Sequence, residues 1–322
     1  MIVLDWADSG TAGGRHAVAL FGLGLVGSAI LSAIHRNSGA RGQSLAFGWL
    51  DEAAREVESA AIVACLDAIA RNAGDKPLTL DIVWAAGRGG FQASTEEFSG
   101  EMAAFDAVLA LTQTLATRHP EARLGFHLVS SAGGLFEGQR LVGADSVPSP
   151  QRAYGAVKLR QEALLAALPA SVAVSVYRPS SIYGFKVGGR AGLISTLVVN
   201  AINNRTTRIF GDLNTLRDYV FVQDVGRFIA RRLIDGDTRP PGPPRTFLLA
   251  SGKPTSMHEI VREIETRLHR RLLLKFDVAP SNARHMSFRP AALPAHWQPS
   301  ALAYGVHATM TEIMTTFLKP HA

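Results

Sequence analysis

Cysteine occurs once in the 322 residues, at Cys65. A single thiol closes no internal disulfide, so cross-linking is excluded as a source of stability and a reducing cytoplasm is the expected location. Cys65 lies on an apolar stretch, where a buried, inert thiol is expected. With no second cysteine and no HExxH-type spacing among the ten histidines, no metal site is expected. Lysine is scarce as well. The net charge is +6, but of 33 basic residues only 6 are lysine, and the arginines are scattered. No basic block or basic–aromatic stripe exists, which argues against nucleic acid and suits a small anionic substrate. Long apolar runs are also missing. Ala17 to Ile34 holds 18 residues without charge, yet Gly22, Gly24 and Gly27 interrupt it and it opens on the strand-like AVALF. A strand, turn and helix account for all of it, so no membrane segment is expected. The acidic start, MIVLDWADSG, is unlike a signal peptide. It is expected to form a short extension ahead of the first strand.

What is present is an alternation. Apolar runs at 17–21, 44–49, 78–86, 124–131 and 172–178 are interleaved with helical patterns near 25–36, 52–72, 95–117 and 152–167. The strand candidates are apolar throughout, as required where helices cover both faces of a sheet. This order predicts an α/β fold: a doubly wound parallel Rossmann sheet with a smaller C-terminal substrate-binding domain. The expected boundaries put residues 1–180 in the Rossmann domain, with 215–250 returning to it. Residues 181–214 and 251–322 form the smaller domain. Within TSMHE, Thr255 or Ser256 caps a helix and Glu259 closes a capping box. DTRPPGPPR (237–245) is expected to be an exposed loop.

The first strand runs into Gly22-x-Gly24-x-x-Gly27. Glycines here permit a tight turn, close backbone approach by a pyrophosphate, and close helix–strand packing. A dinucleotide would then rest on the backbone of Gly22, Gly24, Leu25, Val26 and Gly27 at a helix N-terminus. An acid that binds the adenosine ribose is expected at the end of the second strand. Asp51 is the candidate, although it lies 24 residues past Gly27, where Trp49 takes the tightest register. Asp51 is equally placed to cap the next helix. NAD is the expected cofactor; NADP stays open, because Arg55 could reach a 2′-phosphate.

AYGAVK sets Tyr154 and Lys158 four apart, on one face of a helix. By itself that spacing fits a solvated helix face as well as a catalytic pair. Its position decides for catalysis, since LVSSAGG puts Ser130 and Ser131 at a strand end on the glycine-turn edge of the sheet. AAGR brings Ala86, Gly87 and Arg88 to the same edge. A tyrosine that transfers protons near pH 7 needs its pKa lowered by about 3 units, or about 4 kcal/mol. An ammonium at about 4–5 Å supplies roughly 3–4 kcal/mol at an effective dielectric near 20. The hydroxyl of Ser131 would hold the substrate oxygen while Tyr154 moves the proton.

The chain resembles the extended short-chain dehydrogenases/reductases, the group of NAD-dependent nucleotide-sugar epimerases and dehydratases. ALFGLGLVG, VWAAG, LVSSAGG, YGAVK, RPSSIYG, LRDYVFVQDV and SGKPTSMHE carry the resemblance, in family order across roughly residues 17–260. It implies NAD(P) in the glycine crevice, contacted also by Ser130, Tyr154, Lys158 and Pro179. It implies a nucleotide sugar, or a similar hydroxylated substrate, on Ser181, Arg217 and Arg289 or Arg284. It implies a homodimer built on helices 95–117 and 152–167, and FDAVLALTQTLA is apolar on more than one face, as such burial needs. Departures are visible. Phe21 replaces the first family glycine, Ala132 takes the place of the catalytic serine or threonine, and Ser181 replaces an asparagine. The third strand gives way to the helix at 52–72. Ala132-Gly133 stands where dehydratases carry Asp-Glu, which disfavours dehydration. Three activities stay open: epimerase or dehydrogenase on a nucleotide sugar, reductase of a non-nucleotide carbonyl compound, and NAD(P) binding without turnover.

Overall fold

The structure, a computed structural model, describes residues 1–7, 13–87, 95–236, 242–277 and 284–318. In chain order the elements are β1 (Ile2–Ala7), β2 (Arg15–Phe21), α1 (Leu25–Ser38), β3 (Arg41–Ser44), α2 (Glu52–Ala73), β4 (Leu78–Trp84) and α3 (Thr95–Arg118). Then come β5 (Arg123–Val129), α4 (Ala132–Leu135), α5 (Ala153–Leu164), β6 (Val172–Pro179), β7 (Ser181–Tyr183), α6 (Leu193–Ile202), β8 (Thr207–Phe210) and β9 (Leu216–Phe221). The last are α7 (Val222–Asp235), β10 (Arg245–Leu249), β11 (Pro254–Ser256), α8 (Met257–Leu268), β12 (Leu274–Asp277) and α9 (Leu302–Leu318). Two compact units emerge: Met1–Leu135, Pro150–Arg178 and Gly226–Phe247 form the first, and Phe136–Ser149, Pro179–Val225 and Leu248–Ala322 the second. The returning segment is thus shorter than the expected 215–250, and 136–149 goes to the second unit.

The first unit holds a seven-stranded sheet of order β10-β6-β5-β4-β2-β1-β3. Strands β2, β4, β5 and β6 are parallel. Strand β1 is antiparallel to both β2 and β3, with Ile2 opposite Leu20 on one side and Ser44 on the other. The N-terminal run is therefore no extension. Val3 and Leu4 point to opposite faces and both are buried, the pattern of a strand covered on each side. Its insertion moves β3 one strand outward from β2, about 5 Å. The second-strand assignment to 44–49 also fails. The polar RGQS forms the edge strand β3, exposed along its length, while Phe47 and Trp49 leave the sheet. Phe47 packs edge-on against Phe21 at 5.0 Å, and Trp49 lies 5.8 Å from Trp84. Apolar character had marked them as strand, and ring packing across the strand ends is what uses it.

Helices α2, α3 and α5 cover one face, over a core of Phe21, Ile62, Leu66, Trp84, Phe105, Leu115 and Phe126. Cys65 on α2 is half-buried rather than fully buried, its Sγ 3.6 Å from Gln43 Oε1, and burial raises its thiol pKa. On the other face α1 meets α7. A Cβ on Gly226 would come within 2.6 Å of the Ala29 backbone, so only glycine allows that approach.

The second unit contains the three-stranded sheet β11-β9-β7 and the pair β12-β8. Asp218, fully buried on β9, gathers donors from Ser180 Oγ, Ser251 N and Oγ, and Gly252 N. Four hydrogen bonds compensate its desolvation. Ser256 caps α8 and the capping box with Glu259 is complete. Of the loop at 237–245, residues 237–241 lie outside the described residues; β10 begins at Arg245.

Candidate active site

The site edge is where the parallel strands end. Gly22 follows β2 with φ +92°, and an added Cβ would lie 2.5 Å from Ala86 N. Gly27 lies one turn into α1, where a Cβ would be 1.8 Å from Gly22 O. Both glycines are demanded by the fold itself. Gly24 is different. Its φ of −70° suits any residue, and no atom of the described residues lies within 4 Å of an added Cβ. The fold leaves this position free of any need for glycine, so the open space in front of it is the feature a ligand would use. Gly24 is also the N-cap of α1 without a side-chain cap, and the first turn carries no acid. The backbone N–H groups of Leu25, Val26 and Gly27 are thus left to an outside acceptor, the arrangement an anion requires. These residues fit a dinucleotide pyrophosphate.

The adenosine end is less conventional. Strand β1 occupies the place beside β2 and contributes apolar Ile2 at the sheet end. Asp51 is the N-cap of α2, its Oδ1 accepting from Ala54 N at 3.0 Å, which is the second of its two sequence roles. Arg55 is buried, with Nη1 lacking a hydrogen-bond partner among the described residues.

The chemistry-bearing side chains come from the junction of β5 with α4 and from α5. Ser130 Oγ donates to Glu162, which also receives Arg178 through two nitrogens. Its hydroxyl is thus committed inward. Ser131 Oγ accepts from Gly134 N at 3.0 Å, and its own O–H can still donate to a substrate oxygen. Ala132, buried, opens α4 and offers no hydroxyl. Gly134 and Gly155 let α4 and α5 touch: a Cβ on Gly134 would meet the Tyr154 ring at 2.9 Å, and one on Gly155 would meet Gly134 O at 2.2 Å. Tyr154 is held on that glycine surface. One turn on, Lys158 is almost fully buried. Its Nζ donates to Gln161 Oε1 at 2.9 Å and to Ala86 O and Glu101 Oε1 at 3.4 Å each. Gln161 Nε2 in turn donates to Glu101 Oε1 at 3.0 Å. Gly87 borders the same spot, 3.6 Å from Lys158 Nζ by its ideal Cβ.

The structure therefore brings Gly22, Gly24, Leu25, Val26, Gly27, Ala86, Gly87, Ser131, Tyr154 and Lys158 to one sheet edge in the first unit. Arg88 lies outside the described residues. Motif reading missed Glu101 and Gln161. Gln161 was reachable, being three residues past Lys158 on the same face; nothing local marks Glu101. In the second unit, Pro179 ends β6 and Ser181 opens β7. Ser181 pairs with Tyr219, two residues past Arg217 on β9. Arg217 lies 3.9 Å from the buried carboxylate of Glu137. Arg289 is ion-paired with Asp145, whereas the Arg284 side chain passes over Gly138. Among the described residues no helix is long and apolar enough to cross a membrane, and no acidic, histidine or cysteine cluster could hold a metal ion.

Residues 23–243 match the model of the NAD dependent epimerase/dehydratase family. The chain belongs to that family. A UDP-glucuronic acid 4-epimerase from Bacillus cereus, solved with UDP-glucuronic acid and NAD, superposes with TM-score 0.65 at 16% identity, covering 93% of this chain and 99% of that one. A UDP-glucose 4-epimerase from Thermus thermophilus, solved with NAD, gives 0.63 at 17% identity over 79% and 81%. These likenesses establish the fold. A UDP-glucose 4-epimerase of Mycolicibacterium smegmatis is 34% identical over 87 residues, a match spanning 26% of this chain and 25% of that protein.

Proposed function

We propose that the protein is an NAD-dependent epimerase acting on a nucleotide sugar, with Tyr154 as its acid/base. The observation that supports it most is the Tyr154–Lys158 pair of α5 at the same sheet edge as Gly24, a glycine for which the fold has no use. Bound there, NAD would supply reversible hydride transfer at a substrate carbinol carbon. The chain's own residues do the rest. Gly24 and the α1 N-terminus receive the pyrophosphate. Ser131 donates to the substrate oxygen, Tyr154 takes the hydroxyl proton as the carbonyl forms, and the same phenol returns it after the intermediate has turned its other face. The relatives named above are UDP-sugar epimerases, and the arginines of the second unit suit a diphosphate, bound through charge-assisted pairs to Arg217 and to Arg284 or Arg289. A homodimer through α3 and α5 belongs to the same proposal. Ala103, Ala110 and Ala156 are exposed on those helices, and sedimentation tests it.

One observation favours a second reading. Both arginines of the expected clamp, Arg217 and Arg289, already face carboxylates, and Ser181 stands in for the family asparagine. A reductase of a non-nucleotide carbonyl compound needs no such clamp. Tyr154→Phe separates chemistry from binding: turnover should fall more than about 100-fold while the Kd for NAD stays within about threefold. Retained turnover removes Tyr154 from the mechanism.

A further inference from the structure

The Lys158 ammonium is not free to act on Tyr154 with its whole charge. It shares a buried site with the Glu101 carboxylate, whose side chain is 8% exposed. Glu101 Oε1 takes both Lys158 Nζ and Gln161 Nε2, while Oε2 is buried with no hydrogen-bond partner among the described residues. A carboxylate this well covered, with half of its acceptor capacity unused, is costly to keep unless its charge or its free oxygen has a use. No turn, cap or helix end requires an acid at position 101, since it lies within α3.

We propose that Glu101 is a positioning residue that sets the pH range of the reaction: it fixes the Lys158 ammonium and offsets part of its charge as felt by Tyr154. The inference rests on Tyr154 being the acid/base. The groups in contact with Lys158 Nζ are Glu101 from α3, Gln161 from its own helix and the Ala86 carbonyl beyond β4. Tyr154 lies one turn away on α5. Just after β5, Ser130 is neutral and directed to Glu162, whose charge is met by Arg178; Ser131 is neutral too. Glu101 is thus the one carboxylate in contact with that ammonium among the described residues. Its removal leaves the lysine charge uncompensated. The phenolate of Tyr154 is then better stabilised, and the tyrosine deprotonates at lower pH.

The test is Glu101→Gln, which keeps shape and an acceptor oxygen but loses the charge. With NAD bound, tyrosinate absorbance is titrated in parent and variant, each against the same protein carrying Tyr154→Phe, so that the difference reports Tyr154 alone. The expected midpoint in Glu101→Gln lies roughly one pH unit below the parent's. Glu101→Asp, which keeps the charge, stays near the parent midpoint and has weaker NAD affinity through a displaced lysine. A Gln midpoint within about 0.3 unit of the parent's overturns the proposal and reduces Glu101 to packing. If the Gln variant does not fold, the Asp variant decides: a midpoint lowered as though the charge were gone overturns the proposal equally. Turnover that survives Tyr154→Phe would instead remove the acid/base reading and leave the titration difference intact, so the two failures are distinguishable.

Discussion

Lys158→Met is the substitution whose energetic consequence the structure specifies best. It removes the cation from a pair in which lysine and glutamate side chains are 4% and 8% exposed. Methionine fills much the same volume, so little cavity is made. The change instead strands Glu101, leaving Gln161 Nε2 as its remaining donor. Breaking one side of a buried ion pair costs about 3–5 kcal/mol, chiefly because the orphaned charge stays buried. Urea unfolding at pH 7 measures this. The double variant Lys158→Met/Glu101→Gln should recover most of the loss. Parent-like stability of Lys158→Met at pH 7, or no recovery in the double variant, would show that the pair is not electrostatically coupled.

The glycine turn gives a contrast within three residues. Gly24→Val should fold with stability within about 1 kcal/mol of the parent, because its side chain meets nothing, yet weaken NAD at least about tenfold in calorimetry by filling the pyrophosphate approach. Gly27→Ala should destabilise the protein by more than about 2 kcal/mol, since the new methyl is driven into Gly22 O; reversed outcomes would make Gly24 structural. Arg217→Ala should raise KM for a nucleotide sugar by roughly 10- to 100-fold, or about 1.4–2.7 kcal/mol, with NAD affinity unchanged; an unaltered KM assigns Arg217 to Glu137 alone. Ser256→Ala should cost about 1 kcal/mol at neutral pH. The Ser256 N–H and hydroxyl hold the Glu259 pKa below its usual range, so the box's contribution is present above about pH 4.3 and is lost as pH falls through the depressed value. An identical pH dependence in parent and variant would refute that linkage.

The parallel strands were legible because burial on both faces writes itself as unbroken apolar runs: β2, β4, β5 and β6 all stand within a few residues of where AVALF, LTLDIVWAA, LGFHLVSS and VAVSVYR put them. The glycine turn and the Tyr154–Lys158 spacing were legible for the same reason, since each encodes a local geometry. What escaped is non-local. IVLDWA carries no sign that it will slip between β2 and β3, because the hydrogen bonds that place it come from residues 15–20 and 41–44. Phe47 and Trp49 are apolar for the sake of Phe21 and Trp84, not of a strand. Glu101 reaches Lys158 across 57 residues, a partnership no spacing rule contains. Ser131 and Arg289 illustrate a further limit. Sequence located both residues, but their hydrogen-bond and ion-pair partners, Gly134 N and Asp145, follow only from the folded chain.

This sheet edge is proposed to interconvert the epimers of a nucleotide sugar. Purified protein, supplied with NAD and incubated separately with a panel of nucleoside-diphosphate sugars, tests it by chromatography of the sugar released from each product. At least one member should be converted to its epimer, to the same mixture from either side, without net NADH accumulation, and conversion should be lost in Tyr154→Phe. Unchanged sugars across the panel, together with NADH-dependent reduction of a carbonyl compound that carries no nucleotide, would contradict it.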